Sequence, residues 1–386
     1  MLIVALLLAI AVLSVYLTEE KHDYFDSRVY YGAIDYLFRG DGMVYDWLRP
    51  DTPYGFTYPP FAGLTMAPMA VLSLASVIWL AVIGTILSTA LLAWWLAGPL
   101  IRRKGWTRWF AVAVAVLLAI IFEPVRETIG FGQVNTLLLA VVAGDMLFGV
   151  ARGRKWAGIG IGLATAVKLT PGVFILYLLV TRRWRAAATA IGTTAGATLV
   201  AAAIFPDESR EFWTSALWDT NRVGVLYYLS NQSERGLLAR LPIDAIEPKV
   251  WALCVLVTLA IWGRRVWRAP GDVMGGLALT GVLGCLISPV TWIHHCVWLL
   301  PAIVRCVDAG LSSRRTWWPL VVGAVAYLVT SSHLTWIWEN HPQPPLAILG
   351  ANIYVWFSLA LLFWTPVGAR SPVPVPAEDK VAVPVG

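Results

Sequence analysis

Residues 157–181, AGIGIGLATAVKLTPGVFILYLLVT, decide the fold class and the topology. An apolar run of this length can cross a hydrocarbon layer of about 30 Å as one helix rising about 1.5 Å per residue. Its centre, however, is Lys168-Leu169-Thr170-Pro171, and basic clusters flank both ends at 152–155 and 182–185. A charge and a proline at mid-depth break a straight span. The segment therefore predicts two short helices in a hairpin that enters and leaves on one side.

The rest of the chain fits this reading, with 58% hydrophobic residues, 13% charged residues and 21 tryptophans. Further apolar segments lie near 1–17, 73–99, 108–122, 132–150, 186–205, 250–266, 272–288, 290–304, 316–331 and 350–366, which with the hairpin makes about 12 transmembrane helices. The first lacks a cationic start and a small-residue cleavage site, so it is expected to be a retained span. The loops 102–108, 152–155, 182–185, 264–268, 305–315 and the tail after 366 carry 18 Lys/Arg against four acids, with Asp272 at the mouth of a span included. The opposite loops, 18–57, 123–131, 206–249 and 332–349, carry 18 acids against 10 Lys/Arg. The positive-inside rule puts the first set in the cytoplasm and the long loops outside.

These features predict an all-α polytopic membrane protein, with one transmembrane domain over 1–366 and a disordered cytoplasmic tail over 367–386. The net charge of +6 comes from the cytoplasmic clusters, so no nucleic acid is expected as a partner. Cys254, Cys285, Cys296 and Cys306 lie in apolar segments without metal-clamp spacing and read as packing residues.

Polar residues gather at the outer ends of helices and in outer loops, not along a path through the spans. A transporter or lipid flippase would show paired broken helices in corresponding halves, and here only 157–181 is clearly interrupted. In the first outer loop, Val29, Ala33, Ile34 and Leu37 recur at helical spacing from Asp26 to Phe38, predicting an amphipathic helix lying on the membrane with its polar face up. Asp23 or Asp26 would suit its N-cap. The other reading of Asp26 is catalytic: a carboxylate at the lipid surface, beside tyrosines and Arg28, is placed to deprotonate a sugar hydroxyl.

Five motifs follow in order: Asp-x-x-Val-Tyr-Tyr at 26–31, Gly-Phe-Thr-Tyr-Pro-Pro at 55–60, Gly-Gln-Val-Asn at 132–135, Lys-Leu-Thr-Pro at 168–171 and Ser-Pro-Val-Thr-Trp-Ile-His-His at 288–295. Together they resemble glycosyltransferase family 87. The resemblance implies a GT-C fold with outer-face juxtamembrane helices. It also implies an inverting α-1,2-mannosyltransferase of the actinobacterial plasma membrane, with polyprenyl phosphomannose as donor and a glycolipid, a phosphatidylinositol mannoside, as acceptor. The same resemblance makes Asp26 the essential aspartate. Another lipid-linked sugar, such as arabinose, remains an alternative.

Phosphate is a good leaving group, so one base and a cradle of cations or hydrogen-bond donors suffice. Lys168, at the hairpin tip, is the first candidate for that cradle, against snorkelling to the outer surface. Arg126 is a second, against pairing with its neighbours Glu123 and Glu127. His294 and His295, candidate catalytic residues that would hold the leaving phosphate or orient the acceptor, start a span, and because adjacent helical residues diverge by about 100°, only one is expected to face a cavity. The other is expected to hydrogen-bond between helices. Arg28, Tyr30, Tyr58, Gln133, Asn135 and Trp292 are candidate contacts to the sugars and acceptor, with helix capping the alternative for the two amides. Gly130 and Gly132 would let backbone approach a ligand. Trp336 and Trp338 are candidate stacking surfaces, and the loop 206–249, with Trp213, Trp218, Arg222, Tyr227 and Tyr228, is the expected place of acceptor selection. Asp145 reads as structural. No Asp-x-Asp or His-x-x-His cluster lies on the outer side, so no metal or other cofactor is expected.

Overall fold

Helix α1 (Leu2–His22) is apolar on nearly all sides, with only Ala11 and Thr18 buried, so its surface suits lipid. A computed structural model describes residues 1–219, 222–243, 245–313, 315–339 and 346–368. All but the first two residues of the expected tail lie outside the described residues. The regular secondary structure of the described residues is helical, with one isolated bridge, Leu48 to Gly55, and no strand among them.

Two successive residues with positive φ, Asp23 (47°) and Tyr24 (49°), break the chain sharply into α2 (Phe25–Arg39). This is the amphipathic helix that the spacing predicts, with two differences. Tyr24 is its N-cap and no side chain caps it, because Asp23 turns instead to Arg28, 2.7 Å away. Its apolar stripe does not face lipid either: Val29, Tyr30, Ala33 and Ile34 are buried in a protein core with Phe56, Tyr58, Ala62, Met66 and Phe212. Aromatic side chains from the second half of the loop thus cover the face that lipid was expected to take.

The chain continues through α3 (Pro60–Met66) and a 3-10 turn into the long α4 (Leu74–Lys104), and returns in α5 (Arg108–Ile121). Residues 123–131, expected as an outer loop, form α6 (Glu123–Phe131), bent 67° from α5 at the extended Phe122 with Pro124 in its first turn. Every residue from Glu123 to Gly130 is buried. Its charges are matched from distant segments: His22 pairs with Glu127 at 2.7 Å, and His333 pairs with Glu123.

Helix α7 (Asn135–Gly144) passes into a π-helical turn, Asp145–Val150, and then the hairpin of α8 (Ile159–Val167) and α9 (Val173–Val180), with Lys168 and a 3-10 turn at its tip. The two legs return to one level. Gly158, with φ +105°, abuts the Ala186 carbonyl at the start of α10 (Trp184–Ile204), where any Cβ would lie 2.2 Å from that oxygen, and α9 ends four residues before α10. Asp145 secures the foot by accepting from the backbone N–H of Gly158 and of Ile161, each at 3.0 Å, which is the structural role expected of it.

The remainder comprises the short α11 (Pro206–Glu211) and α12 (Glu234–Leu238), then α13 (Glu247–Arg268), α14 (Val273–Ile287), a 3-10 turn Ile293–Leu299 continuing as α15 (Leu300–Ser312), α16 (Trp318–Val329), α17 (Leu346–Ala351) and α18 (Ile353–Trp364). α14 is buried almost throughout and forms the axis of the main core. Among the described residues, five helices are long and apolar enough to cross a membrane: α1, α4, α10, α13 and Ile293–Ser312. The bent pair α5–α6 makes a sixth. The segments expected as spans at 132–150, 272–288, 316–331 and 350–366 form shorter helices of 10–17 residues. A 12-residue helix such as α16 rises only about 18 Å.

Candidate active site

A cavity of about 1240 Å³ opens between residues 21–59, the hairpin tip, the loop after α11 and the reversal between α14 and α15. That is larger than the 300–1,000 Å³ typical of a site for one small ligand. It has room for a sugar phosphate beside an acceptor headgroup.

Asp26 projects into it from the first turn of α2. The helix is fixed there by two contacts with the end of α6: Tyr24 N–H donates to the Gly130 carbonyl at 2.9 Å, and Ser27 Oγ donates to the Gly132 carbonyl at 2.8 Å. Gly132, with φ +68°, has no room for a Cβ, which would lie 2.0 Å from Ser27 Oγ. Gly130 similarly abuts Thr18. The close approach foreseen at these glycines is therefore between helices, not to a ligand.

A hydrogen-bonded chain runs from Asp26 to the hairpin tip. Gln133 Nε2 donates to Asp26 Oδ2 at 2.9 Å, and Gln133 Oε1 accepts from the Tyr58 hydroxyl at 2.9 Å. Tyr30 shares a 2.9 Å hydroxyl–hydroxyl bond with Tyr58. Lys168 Nζ donates to the Tyr58 oxygen at 3.2 Å and to Asn135 Oδ1 at 3.0 Å, and lies 3.0 Å from His295 Nε2. Burial pushes the Asp26 carboxyl up to about 6, against the Gln133 hydrogen bond and the positive charges of Lys168, His22 and Arg49, which pull it down. A base of that strength is half-ionised just below neutrality and can both take and release a proton.

His294 and His295 both line the cavity, contrary to the expectation that only one would. Most of the reversal, Ile287 to Val290 with Trp292, His294 and His295, forms one wall, so side chains on different sides of its short 3-10 turn reach the lumen. Nor does His294 bond between helices. It packs against Phe131, with ring centroids 4.8 Å apart, and neither of its ring nitrogens has a hydrogen-bond partner. Its backbone carbonyl is the anchored part, accepting from Asn135 Nδ2 at 3.1 Å and Thr128 Oγ1 at 3.2 Å.

Asp26, Tyr30, Tyr58, Gln133, Lys168, Trp292, His294, His295 and Trp336 thus line one cavity, with Asn135 directly behind Lys168. Arg222, Tyr227 and Tyr228 reach the same wall from the loop 206–249. Arg28, Arg126, Trp213, Trp218 and Trp338 do not line it. Arg28 is held by Asp23 on the exposed side of α2. Arg126 is turned away: instead of pairing with its neighbouring glutamates, it donates to the carbonyls of Ile121 and Ser331 at 3.1 and 3.2 Å and lies beside His333. Trp338 packs against Gly350.

Lys21 and His22 line the cavity without having been singled out. Lys21 Nζ sits 3.6 Å over the Trp336 ring, and His22 stacks on Phe131 at 4.0 Å. Their signal was position, at the end of the first span five and four residues before Asp26. Glu123, Glu127 and His333 bring ligand atoms within 4.8 Å of one another, the one such cluster among the described residues. Glu123 already accepts from Trp336 Nε1 at 2.8 Å and Tyr354 OH at 2.7 Å, and Glu127 is paired with His22. These carboxylates tie α1, α6, α18 and the segment after α16 together.

Residues 56–289, more than half the chain, match Glycosyltransferase family 87. The chain is a member of that family. It is 32% identical over 90% of its length, and 86% of the relative's, to the polyprenol-phosphate-mannose-dependent α-(1-2)-phosphatidylinositol pentamannoside mannosyltransferase of Mycolicibacterium smegmatis. It is 31% identical, over 80% of its length and 74% of the relative's, to the phosphatidylinositol mannoside mannosyltransferase of the same organism. An α-(1→3)-arabinofuranosyltransferase of Corynebacterium glutamicum is 26% identical over 75% of this chain and 67% of its own. No solved structure matches. The family's matched region begins at Phe56, so the motifs at 55–60, 132–135, 168–171 and the start of 288–295 fall in it or at its edges, whereas Asp26 precedes it.

Proposed function

We propose that this chain is a membrane mannosyltransferase that moves mannose from polyprenyl phosphomannose to a phosphatidylinositol mannoside. The product is an α-1,2 linkage, formed with inversion on the non-cytoplasmic side, with the tail in the cytoplasm. Two mannosyltransferase relatives at 31–32% identity over most of both chains support the sugar and donor, ahead of the 26% arabinofuranosyl relative. The observation that carries the mechanism is that Asp26 and Lys168 face one cavity, joined through Gln133 and Tyr58.

In one displacement, an acceptor hydroxyl oxygen attacks the anomeric carbon while the bond from that carbon to the phosphate oxygen breaks. The bonding electrons leave on polyprenyl phosphate, and the hydroxyl proton passes to Asp26. Lys168 supplies the charge that stabilises the departing phosphate, and Tyr58, His295 and the unpartnered His294 ring provide hydrogen-bonding groups around it. The tryptophans and the loop after α11 shape the acceptor side. Neither the leaving group nor the base requires a metal, and the shorter apolar helices complete a twelve-span bundle beside the long ones.

The test is mannosyl transfer by purified wild type and Asp26→Asn, with donor binding measured on both. The amide keeps the shape and removes the base. Transfer by wild type, with an Asn variant that binds donor but has lost about 10²–10⁴ in rate, supports the reading. A fully active Asn variant removes Asp26 from the mechanism, and a wild type inert with every lipid-linked mannose donor removes the sugar assignment.

A further inference from the structure

A second cavity, of about 330 Å³, opens at the far end of α4, between that helix, the π-helical turn after α7, α14 and α15. It is remote from the first. The Thr85 hydroxyl of α4 lies 3.4 Å from the Gln133 carbonyl, at the level of the catalytic cavity. Arg102, 102 − 85 = 17 residues further along the helix, lies roughly 25 Å away along the axis. That distance is close to the thickness of a hydrocarbon layer.

The walls are cationic. Arg102, Arg103, Arg152 and Arg305 line the cavity with a single carboxylate, Asp308. Asp308 is taken by Arg103, and Arg305 is buried against Asp272 at 2.8 Å. Arg102 and Arg152 have no carboxylate partner among the described residues, and the Arg152 guanidinium lies 5.0 Å over the Phe148 ring. Two guanidinium groups without a carboxylate partner among the described residues therefore line one concave site, and their planar forks match the oxygens of a phosphate.

The remaining wall is apolar and aromatic. Trp95 packs edge-on against Phe148 at 5.1 Å, and Trp94, Leu96, Leu147 and Val304 extend the surface. A free anion would gain nothing from that wall, whereas an amphiphile with a phosphate beside a glyceryl and acyl portion would use both parts. Basic pockets between membrane helices bind anionic headgroups by this combination.

We propose that this cleft binds the phosphodiester headgroup of an anionic phospholipid in the leaflet opposite the catalytic cavity. Arg102 and Arg152 hold the phosphate, and Trp94, Trp95 and Phe148 line the path of the glycerol and upper acyl chain.

The test is lipid retention by the purified, delipidated full chain in detergent, read by native mass spectrometry. The titrants are dioleoyl phosphatidylglycerol, dioleoyl phosphatidylcholine and water-soluble glycerol phosphate. The expected result is one phosphatidylglycerol retained at least ten-fold more tightly than phosphatidylcholine, and not displaced by millimolar glycerol phosphate. R102Q/R152Q should lose that preference at least ten-fold, while mannosyl transfer in detergent and thermal unfolding without added lipid stay as in wild type. R268Q, at the end of α13 outside the cleft, should retain the lipid. Equal retention of the two lipids, or undiminished retention by R102Q/R152Q, overturns the proposal. Displacement by glycerol phosphate overturns the lipid assignment in favour of a free-phosphate site. Should the double variant fail to fold, R152Q alone, an exposed residue beyond the end of its helix, must still weaken retention.

Discussion

Replacing Gln133 by Met keeps the length of the side chain and removes both atoms that link Asp26 to Tyr58. The carboxylate then loses its one neutral donor while its burial is unchanged. A hydrogen bond to an ionised group contributes about 1.5–3 kcal/mol, and one pKa unit corresponds to about 1.4 kcal/mol. The Asp26 carboxyl, already raised to about 6, should therefore rise further, by about one to two units. The sign follows from the role of the group: the base works ionised, so kcat/KM falls as pH drops through its pKa and is flat above it. At pH 7 the wild-type carboxyl would be about nine-tenths ionised and the variant's between about a half and a tenth, giving a loss of about two- to ten-fold. The loss should reach its full extent at pH 5 and vanish near pH 9. The assay is transfer of labelled mannose at subsaturating donor in detergent from pH 5 to 9.5. An inflection that stays near 6 in Gln133→Met, or a loss of equal size at every pH, refutes the coupling of Gln133 to Asp26.

Lys168→Met removes the one ammonium in the network, and kcat/KM for the donor should fall about 10²–10³-fold, measured by initial rates with acceptor in excess. Gly132→Ala places a Cβ against Ser27 Oγ at a positive φ. It should cost about 1–3 kcal/mol, seen as a lower unfolding temperature in detergent, with a fall in transfer rate because Ser27 adjoins Asp26. Treatment with a chelator followed by desalting should leave the transfer rate unchanged. A loss rescued by a divalent ion would assign the Glu123, Glu127 and His333 cluster, or another, to the reaction.

Local periodicity and charge carried the sequence reading as far as local physics reaches. α2 was legible because Val29, Ala33 and Ile34 repeat at helical spacing, and the hairpin because a lysine and a proline sit inside an apolar run with basic residues at both feet. What covers the stripe of α2 was not legible, since lipid and the aromatic residues Phe56 and Tyr58 favour the same apolar face. Apolar composition likewise fails to give helix length: α16 and α18 are as apolar as any span yet stop after 12 residues each.

α6 failed for a different reason, which bears on how such sites are found. Glu-Pro-Val-Arg-Glu reads as solvated because each charge is priced against water, yet here the partners are His22, His333 and Tyr354, one from each of three segments elsewhere in the chain. A buried charge persists only where such partners exist, and partners more than 90 residues away leave no local trace. The same rule explains why Asp26 and Lys168 could be expected at one cavity while the groups that join them could not be named as such. Lys168 stood out as a charge inside an apolar run, and Asp26 as a carboxylate beside tyrosines and Arg28 that the family resemblance also marks. The groups that join them, Gln133 and Tyr58, lie in separate segments and meet only when α6 folds onto α2 and turns the start of α7 toward the hairpin. The packing of α6, through Gly130 and Gly132, is therefore what converts two isolated ionisable residues into one site.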